Sequence, residues 1–291
     1  TGGLRYAHNK QVAGTGGPGG ITYYLPRTPL TFNFSDNSLS YLATLRWRPA
    51  PNISAYLRAA SGYRPGGPQT NPTPPPGAQT FVRPDTVWNY EAGIKGSVLD
   101  GSLSFDLSAF RIDWKDIQLN SLVNGIILQG NAASAIVDGF ELQLTARPSD
   151  LLTVSVSTGH TSARLKAIDP TASSVTGAQA GDKLPLTPSW TTAILLDHQI
   201  PFSNSVSGNV GATLRFQSDM PSNYPAVTPV GQRKIPEITT VDLRASATFN
   251  ERFTAQVRVD NLFDKLGFTN IGVDATVIRP RTITAGLSAK F

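Results

Sequence analysis

Runs of about ten or more residues in which apolar and polar side chains alternate recur along this chain, and they constrain its fold more than any other feature. Successive residues of a strand point to opposite faces, so a period of two makes a sheet with one greasy face and one wet face. Trp88, Tyr90, Ala92 and Ile94 oppose Asn89, Glu91 and Lys95; Phe140, Leu142, Leu144 and Ala146 oppose Glu141, Gln143 and Arg147. Val210, Ala212, Leu214 and Phe216 oppose Asn209, Thr213 and Arg215, and Val241, Leu243 and Ala245 oppose Asp242, Arg244 and Ser246. The last run sets Ile283, Ala285, Leu287, Ala289 and Phe291 against Thr282, Thr284, Ser288 and Lys290.

Tight turns separate these runs in pairs: Pro49-Ala50-Pro51-Asn52, Leu99-Asp100-Gly101, Pro148-Ser149-Asp150, residues 201–204 and Asn250-Glu251-Arg252. Their centres lie about 50 residues apart, and a long stretch rich in Gly, Pro and Ser precedes the next pair. A propeller blade of that period holds four short strands, whereas this unit holds one tight turn and two long strands. Strands of about 9 to 11 residues are what a tilted transmembrane strand requires. An up-and-down transmembrane barrel fits better than a propeller.

Composition agrees. With 26 Gly, 22 Pro and only 15% charged residues, the chain is poor in helix formers. It has no cysteine, which excludes disulfides, thiolate metal sites and cysteine nucleophiles. The longest apolar run, residues 193–196, is far below the roughly 20 residues of a membrane-spanning helix. The net charge of +5 comes from scattered basic residues without a cluster, so no nucleic acid is expected as a partner. Thr1 is not followed by a basic and then apolar leader, which suggests a removed leader or a fragment.

The expected strands are residues 38–48, 53–63, 87–98, 102–114, 136–147, 151–165, 188–200, 205–218, 237–249, 252–262 and 280–291. One more is expected in the first 35 residues, at Leu4-Arg5-Tyr6-Ala7 or Ile21-Thr22-Tyr23-Tyr24, for a total of about twelve. With the short turns at the periplasm, residues 64–86, 115–135, 166–187, 219–236 and 263–279 become extracellular loops. Pro72-Thr73-Pro74-Pro75-Pro76 reads as a stiffener of the first of these. Trp88, Tyr90 and Trp114, at strand ends, fit an interfacial aromatic girdle.

Several segments together resemble the TonB-dependent receptors of the Gram-negative outer membrane. They are Ala59 through Gly67 (AASGYRPGG), Pro84 through Lys95 (PDTVWNYEAGIK), Phe110 through Gln118 (FRIDWKDIQ), Gly139-Phe140-Glu141-Leu142, Asn261-Leu262-Phe263-Asp264-Lys265, and Pro280-Arg281 before the last strand. The resemblance covers residues from about 38 to 291 and lies in their order and spacing. It implies an all-β, antiparallel up-and-down barrel of about 22 strands around a plugged lumen, of which this chain supplies about twelve. Nothing in the chain resembles the plug or the short segment that engages the energy-coupling protein TonB.

Glu91, Lys95, Glu141, Arg147, Arg215, Arg244 and Arg258 take the wet-face parity and are candidate lumen-facing residues, with a solvated wall as the simpler role. Arg64 and Arg83 flank the first long loop, where they can meet an anionic ligand or simply anchor the loop. Asn261, Leu262, Phe263 and Asp264 sit where a strand leaves the membrane, so capping and turn formation is the simpler role for the two polar residues. Phe291 is, by resemblance, an assembly signal read by the barrel-assembly machinery. His8, His160 and His198 lie apart without ligand spacing, so no metal is expected, and no cofactor or catalytic constellation is legible.

The resulting expectation has residues 1–37 as an N-terminal strand and loop region and residues 38–291 as the C-terminal part of a receptor barrel. It is not an enzyme. Its setting is the outer membrane, with lipid, the rest of the barrel, the plug, TonB acting through that plug, and a small-molecule ligand as partners. The resemblance implies energy-coupled uptake of a scarce nutrient such as a ferric siderophore. A self-closed barrel acting as a passive pore or adhesin is the alternative, and a soluble glycan-binding sandwich or propeller is a third reading that the alternation opposes.

Overall fold

A computed structural model describes residues 1–15, 30–68, 81–123, 126–225, 231–272 and 274–290. Twelve antiparallel strands form a single sheet in simple sequence order. They are β1 Gly2–Thr15, β2 Leu30–Ala50, β3 Ile53–Arg64, β4 Asp85–Val98, β5 Leu103–Val123 and β6 Ile126–Ser149. There follow β7 Leu152–Ile168, β8 Trp190–Ser203, β9 Val206–Gln217, β10 Ile238–Phe249, β11 Phe253–Asp260 and β12 Thr282–Ala289. β1 and β12 occupy the two edges of the sheet. The first strand contains Leu4 through Ala7; Ile21 through Tyr24, the Pro72 segment and Phe291 lie outside the described residues.

Tight turns close the hairpins at one end. Asn250 and Glu251 both adopt positive φ, 50° and 57°, and Arg252 donates to the Phe249 carbonyl at 3.0 Å. Two consecutive left-handed residues, within the three that separate paired Phe249 and Phe253, twist the chain in the same sense as the flanking strands. Leu99, Asp100 and Gly101 make the corresponding turn between β4 and β5, again at positive φ.

The register carries the alternation across every seam. Leu45 faces Leu57, Leu57 faces Ala92, Leu107 faces Leu142 and Ile194 faces Leu214, so one face is predominantly apolar, with the Arg111–Asp138 pair on it toward the long-loop end. Its large side chains stay exposed, Leu45 at 68% and Leu287 at 89%, an arrangement that lipid satisfies and water does not. Aromatic rings gather toward the long-loop end of this face: Tyr41 stacks on Trp88 at 5.8 Å and Trp88 on Tyr90 at 6.0 Å, while His160 meets Trp190 edge-on at 4.8 Å.

Trp114 corrects one expectation. Its register partners Val87 and Ala135 put it on the polar face, where it packs against a buried cluster of Ile117, Ala133, Ala135, Leu165, Ala178 and Tyr224. It belongs to the roots of the long loops and not to the lipid girdle.

The expected loop 115–135 is also corrected, because β5 and β6 continue through nearly all of it as a hairpin that rises past the other strands. A bulge between Trp114 and Ile117, with Asp116 at φ 57°, shifts the alternation and disguises the continuing strand. Within the expected loop 166–187, β7 runs on to Ile168 and a short helix, α1 Pro170–Thr176, follows.

Candidate functional site

Two regions hold the candidate residues: the polar face of the sheet, and the roots of the long loops. On the polar face, Arg58 pairs in register with Glu91, Ser54 with Lys95, Ser108 with Glu141, Gly211 with Arg244, and Arg244 with Arg258. Arg215, opposite Thr240, continues the same row parity, so six of the seven candidates share one face; Arg147 lies in the bulge between Ala146 and Ser149.

Most of them have partners there. Lys95 reaches Asp106 at 3.2 Å, and Arg258 reaches Asp260 at 2.6 Å. Arg215 binds Asp242 and Arg244 binds Asp197, which also accepts from Asn209 at 2.6 Å. Glu91 accepts from the Tyr56 hydroxyl at 2.6 Å and from Asn89 at 3.2 Å. Glu141 lines, with Glu91, Asp106, Asn89 and Gln143, a polar cleft of about 300 Å³, and among the described residues it has no ion pair.

Arg64 and Arg83 behave differently from each other. Arg64 Nε donates to Asp85 at 2.9 Å, Asp85 is 2% exposed, and the guanidinium lies 5.9 Å from the Trp114 ring centre. Gln118 completes the knot by donating to the Pro65 and Arg83 carbonyls at 3.0 and 3.1 Å. Arg83 is held by its backbone, through Asn131 at 2.7 and 2.8 Å, and its side chain extends into solvent with Asp116 at 3.4 Å. Arg64 thus anchors the loop, while Arg83 offers an exposed cation above it.

The Asn261 turn is a dense local network. Asn261, 5% exposed at φ 51°, receives the Lys265 N–H at 2.9 Å and donates to the Lys265 and Arg279 carbonyls at 2.9 and 3.1 Å. Its own N–H reaches Asp242 at 2.9 Å, and Asp264 accepts from the Arg281 N–H at 2.8 Å. Asn261 and Asp264 tie the exit of β11 to the entry of β12; Phe263 is 72% exposed. Asp85, Asp197, Asp242 and Gln118 are the partners that reading single strands misses, although Asp197 and Asp242 carry the wet-face parity of their strands.

Above the sheet, burial against the loop-root cluster and, secondly, the Asp182 charge push the Tyr224 phenol up to about 12. These loop roots form a packed floor.

The model of the family described as TonB dependent receptor-like, β-barrel, matches residues 1–262. The chain belongs to this family. The metal-pseudopaline receptor CntO of Pseudomonas aeruginosa is 22% identical to it over 84% of this chain and 32% of that protein. Among solved structures, the siderophore receptor PiuA of Acinetobacter baumannii aligns over all of this chain and 40% of its own, with TM-score 0.79 and 19% identity. The ferric yersiniabactin uptake receptor FyuA of Yersinia pestis aligns over all of this chain and 42% of its own, with TM-score 0.77 and 19% identity. The chain spans about a third of the curated relative and two-fifths of these receptors. TonB-dependent receptors are outer-membrane receptors and transporters, not an enzyme family, and the outer membrane is the location of this chain.

Proposed function

We propose that this chain is the C-terminal barrel portion of a receptor for energy-coupled uptake of a scarce nutrient, a ferric siderophore being the first candidate. The observation that carries the reading is the twelve-stranded sheet with one continuous lipid-compatible face, one charged face, and its long connections all at one end. The charged face becomes the lumen wall, with Glu91, Lys95, Glu141, Arg215, Arg244 and Arg258 on it and Arg147 in the bulge between Ala146 and Ser149. Its acidic cleft suits a cationic side chain of a plug or a passing solute. The long loops capture ligand on a floor fixed by the Arg64–Asp85 pair and the Trp114 cluster, and Arg83 supplies positive charge at their base.

TonB acts on such a receptor through the plug, and the last strand, with Phe291, is the part offered to the assembly machinery. Residues 1–37 contribute β1, its connection and the first part of β2, and residues 38–291 the remaining wall. The test is growth of an iron-starved Gram-negative host on a panel of ferric siderophores, with and without the receptor containing this chain. Growth on at least one chelate that requires both the receptor and TonB supports the reading; no such dependence on any chelate, with the barrel present in the outer membrane, refutes it.

A further inference from the structure

The charges on the apolar face are gathered in one region. Among the described residues paired in register in the twelve-stranded sheet, the ionised side chains of apolar-face parity are Lys10, Arg111, Asp113, Lys115, Asp138 and Arg164. All lie toward the long-loop end, and all but Lys10 fall on the adjoining strands β5, β6 and β7. Arg111 faces Tyr90, Asp113 faces Trp88 and Lys115 faces Thr86, while Arg164 faces Ile136. Lys183 joins them through its bridge to Arg164. On these three strands and that bridge the cations Arg111, Lys115, Arg164 and Lys183 outnumber the carboxylates Asp113 and Asp138. Asp138 reaches Arg111 at 3.6 Å with both side chains more than half exposed, and Asp113 makes no ion pair among the described residues. Arg164 and Lys183 donate to neutral oxygens, the Gly181 carbonyl at 2.9 Å and the Ser189 hydroxyl at 3.2 Å.

A groove of about 720 Å³ leads to this cluster along the apolar face. Two register rows bound it: Ala43, Ala59, Tyr90 and Arg111 on one side, Leu45, Leu57, Ala92 and Ala109 on the other. Between them, residues 44, 58, 91 and 110 turn their side chains to the opposite face, which leaves the groove floored by backbone. The second row runs on through Phe140 and His160 to Trp190, so the groove climbs from the apolar field into the aromatic belt and ends at Arg111. Such a belt marks the height of lipid headgroups. Hydrocarbon fits the groove, and phosphate fits the cations at its upper end, because guanidinium grips phosphate in two-pronged fashion and clustered basic side chains at this height hold anionic headgroups. A free anion has no use for the groove, and a neutral lipid has none for the excess of cations.

We infer that this surface binds a phosphate-bearing lipid of the surrounding membrane, with its headgroup on Arg111, Lys115, Arg164 and Lys183 and one acyl chain in the groove. The inference rests on the apolar face meeting lipid and is independent of the nutrient taken up. Its test uses the receptor containing this chain, purified in neutral detergent, with retained lipid measured by native mass spectrometry. Dimyristoyl phosphatidic acid is the probe, dimyristoyl phosphatidylcholine has the same chains without net charge, and inorganic phosphate is the free-anion arm.

Wild type binds phosphatidic acid at least tenfold more tightly than phosphatidylcholine, and salt narrows the difference. The combined variant Arg111→Gln, Lys115→Gln, Arg164→Gln removes the preference, whereas Arg46→Gln, on the polar face, keeps it. Arg111→Lys with Arg164→Lys retains most of it and serves as the folded comparison; Lys115→Gln with Lys183→Gln reduces it about threefold and replaces the triple variant if that one does not fold. Ala59→Phe with Ala92→Phe narrows the groove without changing charge and weakens binding of phosphatidic acid. Equal binding of the two lipids by wild type, loss caused equally by Arg46→Gln, or indifference to groove filling each overturns the proposal. Displacement of phosphatidic acid by an equal concentration of inorganic phosphate overturns it in favour of a free-anion site. Retention of neither lipid would instead count against the apolar face meeting lipid at all.

Discussion

At the scale of single residues, the chemistry of this chain lies in side chains that tie one strand end to another. Asn261 is buried, bonds three backbone groups with its amide, and occupies the left-handed region, where Asn is tolerated and a residue such as Ala is strained. Asn261→Ala is expected to lower stability by about 2 to 3 kcal/mol, adding lost hydrogen bonds to strain. Asn261→Gly removes the bonds but relieves the strain, so it should cost about 1 kcal/mol less. Urea unfolding in detergent ranks the two, and equal costs would remove backbone conformation from the account. The Asn-Leu-Phe-Asp string was legible as a turn. That Asp242, from the preceding strand, holds the Asn261 N–H was not, because this contact depends on register across the sheet.

Tyr224 gives the pH dependence at the same scale. Its phenol is raised above the unfolded value of 10 to about 12, chiefly by burial. A raised folded value favours the protonated group, so its contribution is complete below pH 10 and is lost as pH rises through about 12. Late-titrating tyrosinate absorbance should fall by the equivalent of one phenol in Tyr224→Phe. Proteolysis of the long loops should accelerate over the same window in wild type, and a Tyr224 titration at the ordinary phenol value would show that the loop-root cluster does not bury it.

At the scale of elements, the strands were legible wherever alternation ran unbroken, and their faces follow directly from parity. The hairpin of β5 and β6 was not legible beyond Trp114, since the bulge there changes parity and the following residues read as loop by composition. Trp114 was misplaced for a related reason: position at a strand end says nothing about face until register is known. Parity makes a sharp prediction at Leu57, which lies between Leu45 and Ala92 in the apolar face. Leu57→Arg should cost about 2 to 4 kcal/mol of folding free energy in a bilayer. Ser108→Arg, on the polar face opposite Glu141, should stay within about 1 kcal/mol of wild type. Comparable costs at both positions in lipid-based unfolding would mean that the apolar face does not meet lipid.

At the scale of the molecule, β1 and β12 carry rows of backbone groups that the sheet itself does not pair. Hydrocarbon offers no hydrogen bonds, so in the membrane each edge must meet another strand. Two solutions exist: strands from the remainder of a larger receptor barrel, or closure of β1 upon β12. The chain covers 40% of the solved receptor PiuA, and the sheet order keeps β1 and β12 at opposite ends, so the first solution is expected. This chain contributes no cysteine, so in a receptor whose other cysteines are replaced the introduced thiols make the choice measurable. Leu4→Cys with Leu287→Cys places one thiol on each edge strand. In the receptor containing this chain, oxidation should give no disulfide between them, and planar bilayers should show no steady open conductance. Efficient intramolecular cross-linking, accompanied by stable conductance, would instead establish a self-closed pore of twelve strands and put the passive-pore reading ahead of the receptor reading.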